Sequence, residues 1–152
     1  MTNETMSGKD PFDLNRFTIA QERIYDAVIE ELKDGQKRSH WMWFIFPQID
    51  GLGYSSTAKH YAIKTIEEAR AYLSHPVLGS RLKKCAEIIL TLKGKSASTI
   101  FGYPDDMKLR SSMTLFASID EDPPNSVFTR VLDRYYEGEQ DTATLRILEK
   151  LK

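Results

Sequence analysis

Apolar residues recur at helical spacing through most of the chain, and polar punctuation falls between the stripes. Phe17, Ala20, Ile24, Val28 and Leu32 lie on one face of a predicted helix, with Asp13 placed to cap it and Gly35 to end it. Ser39 is placed to cap a short helix through the aromatic run that Pro47 closes. The turn Asp50-Gly51-Leu52-Gly53 follows, with Ser55 and Ser56 available to cap the next segment. Thr65-Ile66-Glu67-Glu68 has the form of a capping box, in which Thr65 and Glu68 satisfy each other's end amides, and its helix runs to about Leu73. His75-Pro76 restarts the chain, with Pro76 suited to a first helical position. Leu78, Leu82, Cys85, Ile89 and Leu92 then form the clearest stripe, ended by Gly94.

Ser96 caps a short turn reaching Phe101, and Leu109, Met113 and Phe116 mark a helix over 104–119. Pro123-Pro124 breaks it. Asn125 is placed to cap a helix with Val127, Val131 and Tyr135 inward, and Gly138 stops that helix. Asp141 caps a last one carrying Leu145, Leu148 and Leu151. No alternating strand pattern of useful length competes. The pattern predicts an all-α fold, a single compact multihelical domain of about six to eight helices with no sheet. It spans residues 11–152, after a disordered N-terminal tail over 1–10.

Composition narrows the class. The chain has 152 residues, of which 41% are hydrophobic and 28% charged, the balance of an ordinary globular domain rather than a disordered one. Its longest apolar run, Trp41 to Phe46, is far short of a membrane span, and Met1 to Lys9 lacks the apolar stretch of a signal peptide. A single cysteine, Cys85, cannot form an internal disulfide, which points to a reducing, cytoplasmic setting. The formal net charge of −1 argues against a nucleic-acid partner. Charge is nonetheless uneven: Lys59 to Lys95 holds eight Lys or Arg against three Glu, a basic stretch able to meet an anion or an acidic partner face.

Two segments carry candidate chemistry. The first is His40-Trp41-Met42-Trp43-Phe44-Ile45-Phe46-Pro47-Gln48, followed by Gly51-Leu52-Gly53. A short helix that is apolar all round is either a buried core element or the wall of a pocket. In the pocket reading Trp41 and Trp43 offer flat faces while His40 and Gln48 offer hydrogen bonds. The second segment sets Lys108, Ser111 and Ser112 on one helix at i, i+3 and i+4. Small hydroxyls and a cation in an apolar stripe either reflect close helix packing, with Ser112 bonded back to a helix carbonyl, or form a wall for an anionic or hydroxylated ligand. The histidines, His40, His60 and His75, are too dispersed for a metal site, and no cofactor is implied.

At these two segments the chain resembles a bacterial family called domain of unknown function 1810. The likeness runs from His40 through Gln48, Gly51-Leu52-Gly53 and Ser55. It continues with Tyr61, Tyr72-Leu73, His75-Pro76, Leu78-Gly79, Arg81-Leu82 and Cys85, then Ile100-Phe101-Gly102, Asp106, Lys108 and Ser111 to Phe116. The resemblance implies a single multihelical domain and carries no activity, substrate or catalytic residue. Some members bear the label calpastatin, but calpastatin's inhibitory segments are disordered, and this aromatic-rich chain does not share that character.

Two functional readings follow. In the first, a small soluble protein binds an anionic or nucleotide-like small molecule between segment 39–56 and helix 104–119, using His40, Trp41, Trp43, Gln48, Lys108, Ser111 and Ser112. In the second, the chain is a protein- or peptide-interaction module without catalysis, using its basic stretch or a groove between helices.

Overall fold

In the computed structural model, which describes residues 10–152, the chain forms ten α-helices and one 3-10 turn, with no strand among the described residues. The predicted tail therefore lies, apart from Asp10, outside the described residues. The all-α prediction holds, and the helix number exceeds the expectation for two reasons. The stripe from Phe17 to Leu32 is divided into α1 (Asn15–Glu22) and α2 (Tyr25–Asp34). A tightened turn separates them, with the Ile24 amide bonded to Gln21 O only three residues back. Apolar spacing does not register one such turn, because the inward residues on each side stay inward. The other additions are short helices, α4 (Ser56–Tyr61) and α7 (Ala97–Phe101), while the expected short helix through the aromatic run is present as α3 (Met42–Ile45).

The remaining elements are α5 (Ile66–Ser74), α6 (Leu78–Thr91), α8 (Asp105–Ile119), the 3-10 turn Pro123–Asn125, α9 (Val127–Tyr136) and α10 (Thr142–Leu151). The two longest helices, α6 and α8, organise the core. Helix α6 packs against α2, α5 and α9, and α8 packs against α3, α5, α7, α9 and α10. Aromatic rings run through the interior between them: Phe17 meets Tyr72 edge-on at 5.0 Å, Tyr72 meets Phe116 at 5.5 Å, and Phe116 meets Phe128 at 5.7 Å. The predicted stripe of α6 is inward, with Leu78, Leu82, Cys85 and Ile89 all buried.

Several caps differ from expectation, each for a local reason. Asp13 adopts φ 53° and leaves the role to Asp10, whose carboxylate accepts the amides of Leu14 and Asn15 at 2.8 and 3.0 Å. Ser39 does not cap α3, because its hydroxyl donates to Glu31 at 2.6 Å. Thr65 accepts the Glu68 amide, but the Glu68 carboxylate turns to the Lys64 amide and to Arg16 rather than closing the box on Thr65. Pro76 precedes the first turn of α6 by more than one residue, and His75 Nδ1 instead accepts the amides of Val77 and Leu78, both at 3.1 Å. Ser126, not Asn125, caps α9. Leu151, expected inward, is 43% exposed at the end of the last helix. Ser55, Ser96 and Asp141 cap as predicted.

Candidate functional site

Trp41 and Trp43 lie two residues apart on a helical turn, which places them on nearly opposite faces. Trp41 is fully buried, its ring 6.3 Å from Phe46 and 6.4 Å from Phe101. Its indole Nε1–H donates to Glu31 Oε1 at 2.9 Å. The Glu31 carboxylate also accepts the Ser39 hydroxyl and the amides of Arg38 and Ser39. Burial alone would raise its pKa, but those four donors stabilise the anion and hold the carboxyl down at about 2. Trp41 is thus a core residue with its polar edge satisfied, and it is not a pocket wall.

Trp43 is half-buried, so on this side the short helix is not a wholly enclosed core element. Over its ring, 3.6 Å from the centroid, sits the Lys108 ammonium. Lys108 pairs with Asp105 Oδ1 at 3.4 Å, one turn away on α8, while Asp105 Oδ2 pairs with Lys37 Nζ at 2.8 Å. One carboxylate therefore serves two ammonium groups, leaving the trio with a net positive charge.

Beside this trio lies a groove of about 230 Å³. Trp43, Gln48, Leu52 and Gly53 line it from the 43–53 segment, Pro104, Met107, Lys108 and Ser111 from the start of α8, and Asp141 and Ala143 from the start of α10. Ser111 donates to Asp141 Oδ2 at 3.0 Å. The same oxygen accepts the Thr144 amide and hydroxyl, and the Asp141 amide donates to Thr114 Oγ1 at 2.9 Å. These bonds fix α10 against α8 and hold one end of the groove rigid. Gln48 is positioned through its backbone, whose carbonyl accepts the Ile63 amide at 2.8 Å.

Of the seven residues singled out from sequence, Trp43, Gln48, Lys108 and Ser111 converge on this groove. His40 is exposed and is not among its lining residues. Trp41 and Ser112 are sealed in the core. The Ser112 hydroxyl has no hydrogen-bond partner, so the expected bond back to a helix carbonyl is not made. Asp141 and Asp105 were missed as site residues. Asp141 carries a cap signal at the sequence level, but nothing in the pattern brings the start of α10 to the start of α8.

The basic stretch does not assemble into one basic face. Arg81 turns inward, its guanidinium 4.6 Å from the Tyr25 ring and bonded to Gln21. Arg70, His75 and Lys83 line a second groove of about 490 Å³ together with Asp120 and Glu121, so its charge is mixed. Among the described residues no group of three or more His, Cys, Asp and Glu is placed to hold a metal ion. No described helix is long and apolar enough to cross a membrane.

The crystal structure of a conserved hypothetical protein from Mycobacterium tuberculosis is similar to this chain, with 49% sequence identity and a TM-score of 0.89. The match covers 92% of this chain and 99% of that one. No curated protein matches the chain. A family model described as a protein of unknown function (DUF1810) matches residues 11–148, and by that match across nearly all the helices the chain belongs to the DUF1810 family.

Proposed function

We propose that the groove between the 43–53 segment and the start of α8 binds an anionic small molecule. The observation that carries this reading is Lys108, whose ammonium is held over Trp43 at the groove rather than free in solvent. Half of the Asp105 carboxylate is engaged by Lys37, so Lys108 keeps charge to offer. Gln48 adds an amide that can donate or accept, and Leu52, Pro104 and Met107 supply an apolar surface. Asp141 lies in the same groove and repels a second anionic group, which selects a ligand whose remaining polar groups donate. The volume falls below the roughly 300–1000 Å³ of drug-sized pockets. The fitting class is therefore a phosphorylated or carboxylated metabolite, or the phosphate end of a nucleotide. The interaction-module alternative has less support, because the basic stretch is dispersed over a mixed-charge groove and an inward arginine.

The single thiol, fully buried at Cys85, suits a reducing compartment, and we place the protein in the cytoplasm. A bacterial source is in keeping with the Mycobacterium relative.

Thermal shift against a panel of nucleotides and phosphorylated metabolites tests the reading. A ligand at 100 times its dissociation constant should stabilise the fold by about 2.7 kcal/mol. Lys108→Ala should abolish that shift, and should also lower the unliganded melting temperature modestly, a loss on the order of 1 kcal/mol for the contacts with the Trp43 ring and the Asp105 carboxylate. A panel with no stabilising member, or a shift that survives Lys108→Ala, defeats the proposal.

A further inference from the structure

Asp141 is held by three hydrogen bonds, from the Ser111 hydroxyl at 3.0 Å, the Thr144 amide at 3.1 Å and the Thr144 hydroxyl at 2.5 Å. All three fall on Oδ2. Oδ1 accepts no bond from the described residues and is not sealed from solvent. The carboxylate is therefore fixed through one oxygen, with the other left free to accept. Ser111, which ties it to α8, lies one turn beyond Lys108 on that helix.

Lys108 and Asp141 are the charged residues among those that line the groove. They do not pair with each other across it. The ammonium engages Asp105 and rests on Trp43, while the carboxylate engages Ser111 and Thr144. Two opposite charges thus face one small space without neutralising each other. A simple anion gains at Lys108 and loses at Asp141, and a simple cation does the reverse. A molecule that carries both charges gains at both. We infer that Asp141 is a specificity-determining residue of the groove, and that the ligand is a compact zwitterion, an anion that also bears a primary ammonium group. Its anionic end sits beside Lys108, and its ammonium donates to Asp141 Oδ1. Leu52 and Met107 give the carbon chain between the two ends an apolar surface, and the volume of about 230 Å³ suits a molecule of amino-acid size. This inference rests on the reading of the groove as an anion site and narrows the ligand that site takes.

NMR titration of the whole protein with matched probes tests it: glycine, β-alanine and γ-aminobutyrate against acetate, propionate and butyrate, and phosphoethanolamine against ethyl phosphate. In at least one pair the ammonium-bearing probe should bind about tenfold tighter, the scale of one charge-assisted hydrogen bond. The pair that responds identifies the anion as carboxylate or phosphate and gives the spacing of the two charges. Asp141→Asn retains a side chain that caps α10 and removes the charge. It should bring the ratio to within about threefold of unity by weakening the ammonium-bearing probe, while the plain anion binds as tightly as before or more tightly. Asp141→Ser, a second uncharged cap, gives the same comparison should the Asn protein fail to fold. Lys108→Ala should weaken both members of the pair. A ratio near one for every pair in the parent protein, a ratio that survives loss of the Asp141 charge, or equal weakening of both probes by that loss overturns the zwitterion reading. The groove reading then stands if Lys108→Ala still weakens the plain anion. Failure of every probe to bind overturns both.

Discussion

A side chain stabilises the fold in proportion to the surface it hides, and Trp41 hides all of its surface while Trp43 keeps part of it in solvent. Trp41→Ala should cost at least about 3–5 kcal/mol, since it opens a large cavity and leaves Glu31 short of one donor. Trp43→Ala should cost about 1–2 kcal/mol. Chemical denaturation of the two variants measures the contrast, and equal losses would refute the assignment of Trp43 to the groove. Glu31 supplies a second test at this scale. Its folded pKa of about 2 lies below the ordinary carboxylate value of 4.5, so the stabilisation is fully present above pH 4.5 and is lost as pH falls toward 2. The contribution is on the order of 3 kcal/mol. Glu31→Gln should therefore be clearly less stable than the parent at pH 6, with the gap closing as the pH approaches 2. A gap of constant size across that range would mean the carboxylate charge is not what matters.

Between elements, α6 approaches the end of α5 closely at Gly79. A Cβ built at Gly79 would lie 2.0 Å from the Leu73 carbonyl oxygen, a backbone atom that cannot rotate away. Helix propensity taken alone favours alanine over glycine by about 1 kcal/mol in a helix. The steric term is larger and of opposite sign, so Gly79→Ala should destabilise by about 3 kcal/mol as the two helices are pushed apart. A stabilised Gly79→Ala protein would rule out this crossing. His75 belongs to the same junction, where its ring nitrogen accepts two amides that the start of α6 leaves open. The His-Pro pair was legible as a restart signal. That the histidine ring rather than the proline organises the first turn depends on a side-chain orientation that spacing does not encode.

Across the whole molecule, the interior is continuous from α1 to α10, and Cys85 reports on it. The thiol is fully buried, and burial pushes its pKa up to about 12, with Arg81 and Lys84 offsetting only part of the effect. Alkylation in native buffer should be slow and should accelerate with denaturant in step with global unfolding, as followed by mass spectrometry. Rapid labelling of the native protein would show that α6 opens locally. Arg16 illustrates the same long-range cohesion. Its guanidinium joins α1 to the α4–α5 connection through the carbonyls of His60 and Ala62 and through Glu68 at 2.6 Å.

The sequence by itself determined the helical class, most helix positions and the caps at Ser55, Ser96 and Asp141, because these depend on residues within a few positions of one another. It also pointed to the two segments whose residues Trp43, Gln48, Lys108 and Ser111 meet in one groove. Only the tertiary structure decided which tryptophan is core and which is surface. That division follows from Glu31 and Phe101 closing around Trp41 while Lys108 settles on Trp43. Tertiary packing likewise brought Asp141 to Ser111 and set His40 and Ser112 apart from the groove. Local periodicity places a residue on a face, whereas the neighbours that face meets are selected by packing between elements distant in the chain, and the groove exists only there.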